Sequence, residues 1–225
     1  MAKKAEIFTK ECKECGTPAI KNSTVCTNCG AELKTSLGMK KVYPIEQDQI
    51  KLVRSVINDG NFGDRNEFLF LFLLNTALRI GDALKVKVGM VRDKEYLEII
   101  EQKTGKTKKF KMSSFLKQTI NEYTKDMSSG EYLFQSRKHD IKGGNKAISR
   151  IHAHRIFKDA ADKIDIKNFG CHSARKTYAR LIYEKTNDIS FVMRLLNHSS
   201  EAMTLKYLHL TEEKDDRLIM DFSLS

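Results

Sequence analysis

The sequence predicts a mainly α-helical domain carrying one small β-hairpin, preceded by a short cysteine-bearing ribbon. Three observations carry this expectation. From residue 43 onward, apolar residues recur at helical spacing in one segment after another. Tyr96-Leu97-Glu98-Ile99-Ile100 and Thr107–Met112 read as two strands flanking the turn Lys103-Thr104-Gly105-Lys106. Four of the 5 cysteines form two Cys-x-x-Cys pairs near the N-terminus.

Residues 1–33 form the predicted ribbon. Cys12-x-x-Cys15 and Cys26-x-x-Cys29 are separated by 10 residues, and Gly16 and Gly30 each follow the second cysteine of a pair. A glycine there lets the chain turn tightly so that amide groups face the sulfurs. Four thiolates in a tetrahedron suit Zn2+, which takes soft ligands and imposes no geometry of its own. The strand–helix setting of a redox-active Cys-x-x-Cys is missing. A structural zinc held by Cys12, Cys15, Cys26 and Cys29 is therefore expected. Cys171 lies outside the pattern and reads as a small packing residue.

Residues 34–42 read as a basic linker, and residues 43–225 as the main domain. Ile50, Val53, Val56 and Ile57 share one helical face, and Asn58-Asp59-Gly60-Asn61 closes that helix. A second helix is expected over about Asp64–Leu78. Its 7-residue run Phe68–Leu74 is apolar all round, which marks a buried central helix. Arg79 follows at the end of that buried element, where a guanidinium is costly without an anionic partner. A short helix near Gly81–Leu84 precedes the hairpin, which carries Lys103, Lys106, Lys108, Lys109 and Lys111. Further helices are expected at about 113–127, 148–164, 173–185, 188–196, 201–208 and 211–222.

The bulk composition narrows the partners. The chain has 225 residues and a formal charge of +11, which points to a polyanion. No basic amphipathic helix or lipidation signal supports a membrane surface, and the 7-residue apolar run is too short to span a bilayer. The first residues lack the apolar core of a signal peptide, so a cytoplasmic protein is expected. Gly143-Gly144 reads as a basic loop over DNA, since no strand feeds it as in a nucleotide-binding loop. His139, His152, His154 and His209 read as surface histidines.

The last third of the chain holds His172-Ser173-Ala174-Arg175, Leu196-Asn197-His198 and Tyr207, so that His172, Arg175, His198 and Tyr207 follow one another at successive intervals of 3, 23 and 9 residues. With Arg79 these supply two guanidiniums, two imidazoles and a phenol. Such groups suffice to break a phosphodiester and store its energy in a link to tyrosine. Two arginines can clamp the non-bridging oxygens of the transition state and remain charged. An imidazole can move a proton or add a hydrogen bond, and a lysine can protonate the leaving oxygen. The guanidiniums supply the positive charge that a catalytic metal would otherwise bring.

In this order the motifs Thr76-Ala77-Leu78-Arg79-Ile80-Gly81-Asp82, Gln102-Lys103-Thr104-Gly105-Lys106, His172-Ser173-Ala174-Arg175, Leu195-Leu196-Asn197-His198-Ser199-Ser200 and Thr204-Leu205-Lys206-Tyr207 resemble the tyrosine recombinase, or phage integrase, family. The resemblance covers about residues 43–225, the extent of that family's catalytic domain. It implies that Tyr207 is the nucleophile and that Arg79 and Arg175 bind the scissile phosphate. It implies further that Lys103 is the general acid, that His172 assists proton transfer and that His198 hydrogen-bonds the phosphate. Asp82 would orient the local backbone and the arginine. The implied function is site-specific recombination of double-stranded DNA through a 3′-phosphotyrosyl intermediate, by a tetramer on paired sites and with no cofactor for catalysis.

Typical members carry a helical DNA-binding domain that completes a clamp around the duplex, whereas here only the ribbon and a short linker precede Tyr43. The ribbon is then expected to contact DNA, an accessory protein or another protomer. A DNA-binding or accessory protein that keeps the fold without recombining independently is the alternative. The segment after Thr211 is expected to dock on a neighbouring protomer or to close its own core.

Overall fold

In the computed structural model the described residues are 8–12, 14–20, 26, 28–29, 42–60, 62–137 and 145–208. The expected linker, the Gly143-Gly144 loop, His139, His209 and the segment from Thr211 onward lie outside them. Contacts divide the chain into two compact units, Met1–Lys41 and Val42–Ser225.

In the first unit, strands β1 (Phe8–Glu11) and β2 (Pro18–Ile20) pair antiparallel, with Lys10 opposite Ala19 and Glu11 opposite Pro18. The reversal between them is pinned by two backbone bonds. The Cys12 amide donates to the Thr17 carbonyl at 2.9 Å, and the Gly16 amide to the Cys12 carbonyl at 2.8 Å. Gly16 has φ +70°, a conformation that a side chain disfavours, which accounts for glycine at this turn. These strands were not expected from the sequence, because they are too short to show alternation.

The second unit begins with helix α1 (Gln47–Asn58), whose Val53 and Ile57 are buried as the periodicity predicts. Helix α2 (Gly63–Thr76) is the central element, with Phe68, Leu69, Phe70, Phe72, Leu73 and Leu74 all buried. Phe68 stacks on Tyr123 at 4.1 Å between ring centroids, and Phe72 meets Phe134 edge-on at 5.6 Å. Helix α2 stops at Thr76, two residues before the sequence expectation. Ala77 turns left-handed, with φ 49°, and Thr76 folds its hydroxyl back onto the Phe72 carbonyl at 2.7 Å. That break frees Arg79 from a helical surface and leaves it extended just ahead of the short helix α3 (Ile80–Ala83).

Strands β3 (Tyr96–Ile100) and β4 (Thr107–Lys111) form the expected antiparallel hairpin, with Leu97 opposite Phe110 and Ile99 opposite Lys108. Helices α4 (Ser114–Thr124) and α5 (Arg150–Lys163) are capped by the Ser113 and Ser149 hydroxyls, each accepting from an amide of the first turn. Helices α6 (Cys171–Thr186), α7 (Ile189–Leu196) and α8 (Glu201–Leu208) follow. Ala77, Ala179, Val192, Leu196 and Leu208 form a small apolar cluster of their own. It ties the end of α2 to these three helices. Cys171 is buried, and burial pushes its thiol up to about 12, consistent with packing. Among the described residues no helix is long and apolar enough to cross a membrane.

Candidate active site

The small cluster around Ala77 and Leu208 determines what converges beside it. Arg175, one turn into α6, is 2 % exposed. Its Nη1 donates to the Ala77 carbonyl and its Nη2 to the Leu196 carbonyl, the latter at 2.7 Å. Both carbonyls sit where a helix ends in a left-handed residue, Ala77 after α2 and Asn197 after α7. Helix C-termini present unsatisfied carbonyls and partial negative charge, so they suit a guanidinium. Burial lowers the Arg175 pKa; Tyr207 works against that and Arg79 adds to it.

Arg79 reaches the same region from the stretch of chain between α2 and α3. Its Nη1 lies 2.8 Å from Glu101 Oε1, and its side chain is 21 % exposed. The pair is a charge contact without the alignment of a hydrogen bond. Glu101 is fully buried just past β3 and was not anticipated. Its other oxygen accepts from Asn197 Nδ2 at 2.8 Å and from the Thr104 hydroxyl at 2.9 Å. Burial alone would raise this carboxyl. Hydrogen bonds from Asn197 and Thr104, with the adjacent Arg79 guanidinium, outweigh burial and hold it below its usual range. Asp82 orients backbone, as expected in part: its Oδ1 accepts the Gln102 amide at 2.9 Å, which fixes the start of the hairpin turn.

Tyr207 is placed by its neighbour in sequence. Leu208 is buried in the apolar cluster, and the Tyr207 hydroxyl is buried and faces Arg175. Burial raises the phenol pKa, while the charges of Arg175 and Arg79 oppose that rise. The ring meets His198 edge-on at 5.1 Å, and Lys176 Nζ sits 5.0 Å above its centroid. His198 Nδ1 is 3.1 Å from the Thr204 hydroxyl oxygen. Burial first, then Arg175, Arg79 and Lys103, lower His198 to about 4, so the imidazole is neutral near pH 7.

His172 lies on the first turn of α6 with an exposed side chain. Desolvation by the surrounding protein, followed by the charges of Arg175, His154, Lys176 and Arg79, lowers its pKa. Lys103 is exposed in the hairpin turn, with its charge felt at His198. The six expected residues thus gather in one region, with Arg79, Arg175, His198 and Tyr207 at its centre and His172 and Lys103 at its exposed rim.

Three contributors escaped the sequence reading: Glu101, Lys108 and Asn197. A signal for two of them existed. Alternation along β3 buries Leu97 and Ile99, so the next inward position is Glu101; on β4, Lys108 shares the inward face with Phe110. Asn197 gave no such signal, since only the left-handed end of α7 turns its amide toward Glu101.

In the first unit the Sγ atoms of Cys12, Cys15, Cys26 and Cys29 all lie within 4.8 Å of one another. Cys12 and Cys29 are 3.7 Å apart at sulfur, Cys15 and Cys26 3.6 Å, and none is in a disulfide. A tetrahedron with metal–sulfur distances of about 2.3 Å has edges of about 3.8 Å, so the donor set fits zinc. The Cys29 and Asn28 amides lower the Cys26 thiol, and the Thr17 hydroxyl and amide bring Cys15 from 9.0 to about 6. Both shifts favour the thiolate a metal binds.

A helical domain with one hairpin, organised around a buried arginine, a partly exposed arginine and a tyrosine, has the fold of a tyrosine recombinase catalytic domain. The model of the phage integrase family matches residues 44–214, and the chain belongs to that family. It is 40% identical over 176 residues to the probable integrase/recombinase YoeC of Bacillus subtilis (strain 168), a match covering 78% of this chain and 93% of that one. Its backbone resembles the crystal structure of XerA recombinase with a TM-score of 0.63 at 19% identity, covering 82% of this chain and 66% of that one. It also resembles the XerH site-specific recombinase bound to its difH substrate, with a TM-score of 0.58 at 17% identity and coverage of 80% and 54%. The chain therefore spans about half to two thirds of those two solved proteins.

Proposed function

We propose that this protein cuts and rejoins double-stranded DNA through a 3′-phosphotyrosyl intermediate, as a site-specific recombinase or integrase. The observation that supports this most directly is the approach of Arg79 and Arg175 to one buried phenol, Tyr207. In this reading Tyr207 Oη attacks the phosphorus, the bond to the 5′ oxygen breaks, and the strand is held as a 3′-phosphotyrosine. The raised phenol pKa means its proton must be taken up during attack. His172, neutral near pH 7 because its pKa is lowered, accepts it. Lys103, exposed at the turn, donates a proton to the departing 5′ oxygen. Arg79 and Arg175 hold the two non-bridging oxygens. His198 hydrogen-bonds the same phosphate through Nε2–H once Thr204 turns its hydroxyl proton onto Nδ1. Attack by the 5′ hydroxyl of a partner strand reverses each step and rejoins the DNA. These residues carry the chemistry without a metal.

Cys12, Cys15, Cys26 and Cys29 would hold one structural Zn2+ in the first unit. On this reading residues 1–33 form the ribbon, 34–42 the linker and 43–225 the catalytic domain. The active form is a homotetramer on paired sites in the cytoplasm, associated with the nucleoid. The ribbon supplies contacts to DNA, an accessory protein or a second protomer.

The test is a nicked suicide substrate that traps the covalent complex. Native protein should form a DNA adduct resistant to denaturation, and Tyr207→Phe should form none. An adduct that persists in Tyr207→Phe would falsify the assignment of the nucleophile. DNA binding by both proteins with no adduct from either would leave a binding module.

A further inference from the structure

The hairpin carries Lys103, Lys106, Lys108, Lys109 and Lys111, and the alternation of β4 turns only one strand lysine inward. Lys109 sits on the outer face, paired with Glu98 at 2.6 Å and lying 5.0 Å over the Tyr96 ring. Lys111 is exposed. Lys108 stands opposite Ile99 on the face that packs toward the domain and is 8 % exposed. Its ammonium has no hydrogen-bond partner among the described residues, although it is buried.

The charges that act on it are those of the candidate site: Arg175 from α6, Glu101 at the end of β3, Arg79 ahead of α3 and Asp82 within α3. Arg79, Arg175 and Lys108 face two carboxylates, so the cluster holds one uncompensated positive charge. A single phosphodiester carries one negative charge. Water satisfies an exposed ammonium, but a buried one that makes no hydrogen bond has its donors unmatched. Glu101 is already engaged by Arg79, Asn197 and Thr104, and Asp82 Oδ1 holds the Gln102 amide, while Asp82 Oδ2 is buried and makes no hydrogen bond to Lys108.

We propose that Lys108 is a further phosphate-binding residue of this site, contacting a non-bridging oxygen of the scissile phosphate between the two arginines. The inference rests on the strand-transfer reading above and extends it. Lys108 keeps its proton throughout; its part is to neutralise charge, and Lys103 remains the group that protonates the 5′ oxygen. Burial first, then repulsion from Arg175, lowers Lys108 to about 8, so it is still largely a cation near pH 7.

The experiment compares native protein, Lys108→Met, Lys108→Arg and Lys103→Met on suicide substrates that differ only at the scissile linkage. One carries the phosphodiester, one an uncharged methylphosphonate, one a 5′-bridging phosphorothiolate whose thiolate leaves without a proton. Lys108→Met should cleave the phosphodiester about a hundredfold more slowly. It should recover most of that loss on the methylphosphonate, which presents no anionic charge, and none on the phosphorothiolate. Lys108→Arg should stay within about tenfold of native, because the charge is retained. Lys103→Met should recover on the phosphorothiolate instead.

Equal cleavage by native and Lys108→Met overturns the proposal. So does an undiminished loss on all three substrates, the mark of a merely structural lysine serving Asp82. Recovery of Lys108→Met on the phosphorothiolate overturns it as well and makes Lys108 the proton donor. If native protein forms no adduct, the strand-transfer reading falls and takes this inference with it; with a native adduct in hand, only the role of Lys108 is at stake. The thermal midpoint of Lys108→Met should lie at or above native, since an excess buried charge is removed. Lys108→Gln replaces it in the comparison should the methionine variant fail to fold.

Discussion

Arg79 and Glu101 form an ion pair at 2.8 Å, with the carboxylate fully buried and the guanidinium partly open to solvent. Glu101 also gathers Asn197 from the end of α7 and Thr104 from the hairpin turn. One carboxylate thereby links three separate stretches of chain around the candidate site. It holds Arg79 close to where an anion would sit while leaving part of the guanidinium uncovered. Glu101→Ala should destabilise the helical domain by about 3 kcal/mol, because removing one member leaves buried partners unmatched. Urea unfolding followed by circular dichroism measures this, and a loss below about 0.5 kcal/mol would show that the linkage is not structural.

Arg175→Lys tests geometry separately from charge. An ammonium cannot reproduce the fork that spans the Ala77 and Leu196 carbonyls. The expected outcome is a stability loss of about 1–3 kcal/mol, from leaving a buried acceptor unmatched. Adduct formation should fall by about a hundredfold or more. A variant that unfolds and cleaves like native protein would contradict both expectations.

Stability should depend on pH through His198. Its native pKa is about 4 against an ordinary 6.5, so between these values the unfolded chain binds more protons than the native one. Stability therefore falls as pH is lowered from about 6.5 toward 4. Burial lowers His172 also, and adds to the same trend. His198→Gln should make the drop in melting temperature between pH 7 and pH 5 shallower, and an unchanged drop would remove His198 as its source.

Metal analysis should find about one zinc per chain, bound by the four cysteines. Chelation should disorder the cysteine unit while leaving the unfolding midpoint of the helical domain unchanged, because that domain has its own core. Purified protein with no metal, four reactive thiols and an intact first unit would exclude the zinc reading.

DNA affinity should fall steeply with salt. Lys106 and Lys111 are exposed on the hairpin, and Lys106→Gln or Lys111→Gln should each reduce the log–log salt slope by about 0.9 if each neutralises one phosphate. An unchanged slope in both variants would place the hairpin away from the DNA backbone.

Much of the fold was legible in the sequence because its signals are local. Helical periodicity located α1, α4, α5, α6, α7 and α8 to within a few residues, and the apolar run at Phe68–Leu74 marked the central helix. The hairpin was legible from two β-prone runs around Thr104-Gly105. The end of α2 was not, because Ala77 turns left-handed without a glycine or proline to announce it. The paired cysteines were legible as a cluster that could hold a metal, since their spacing is itself local, while the short strands framing them were not.

The six expected site residues were legible as chemistry: arginines, histidines, a lysine and a phenol in a recognisable order. Which groups surround them was not. Whether Lys108 or Lys109 faces inward depends on strand register, and a shift of one residue would exchange them. Glu101 meets Arg79 only after α2 breaks, the chain reverses through α3, and β3 returns alongside. Asn197 reaches Glu101 only because α7 ends left-handed. The sequence by itself determined the element types of the helical domain, the family and the inventory of reactive groups, because these depend on spacing and residue chemistry within short windows. The tertiary structure alone decided which charges share a buried volume, because electrostatic energy depends on distance and on the exclusion of water, and both are set by contacts between segments far apart in the chain.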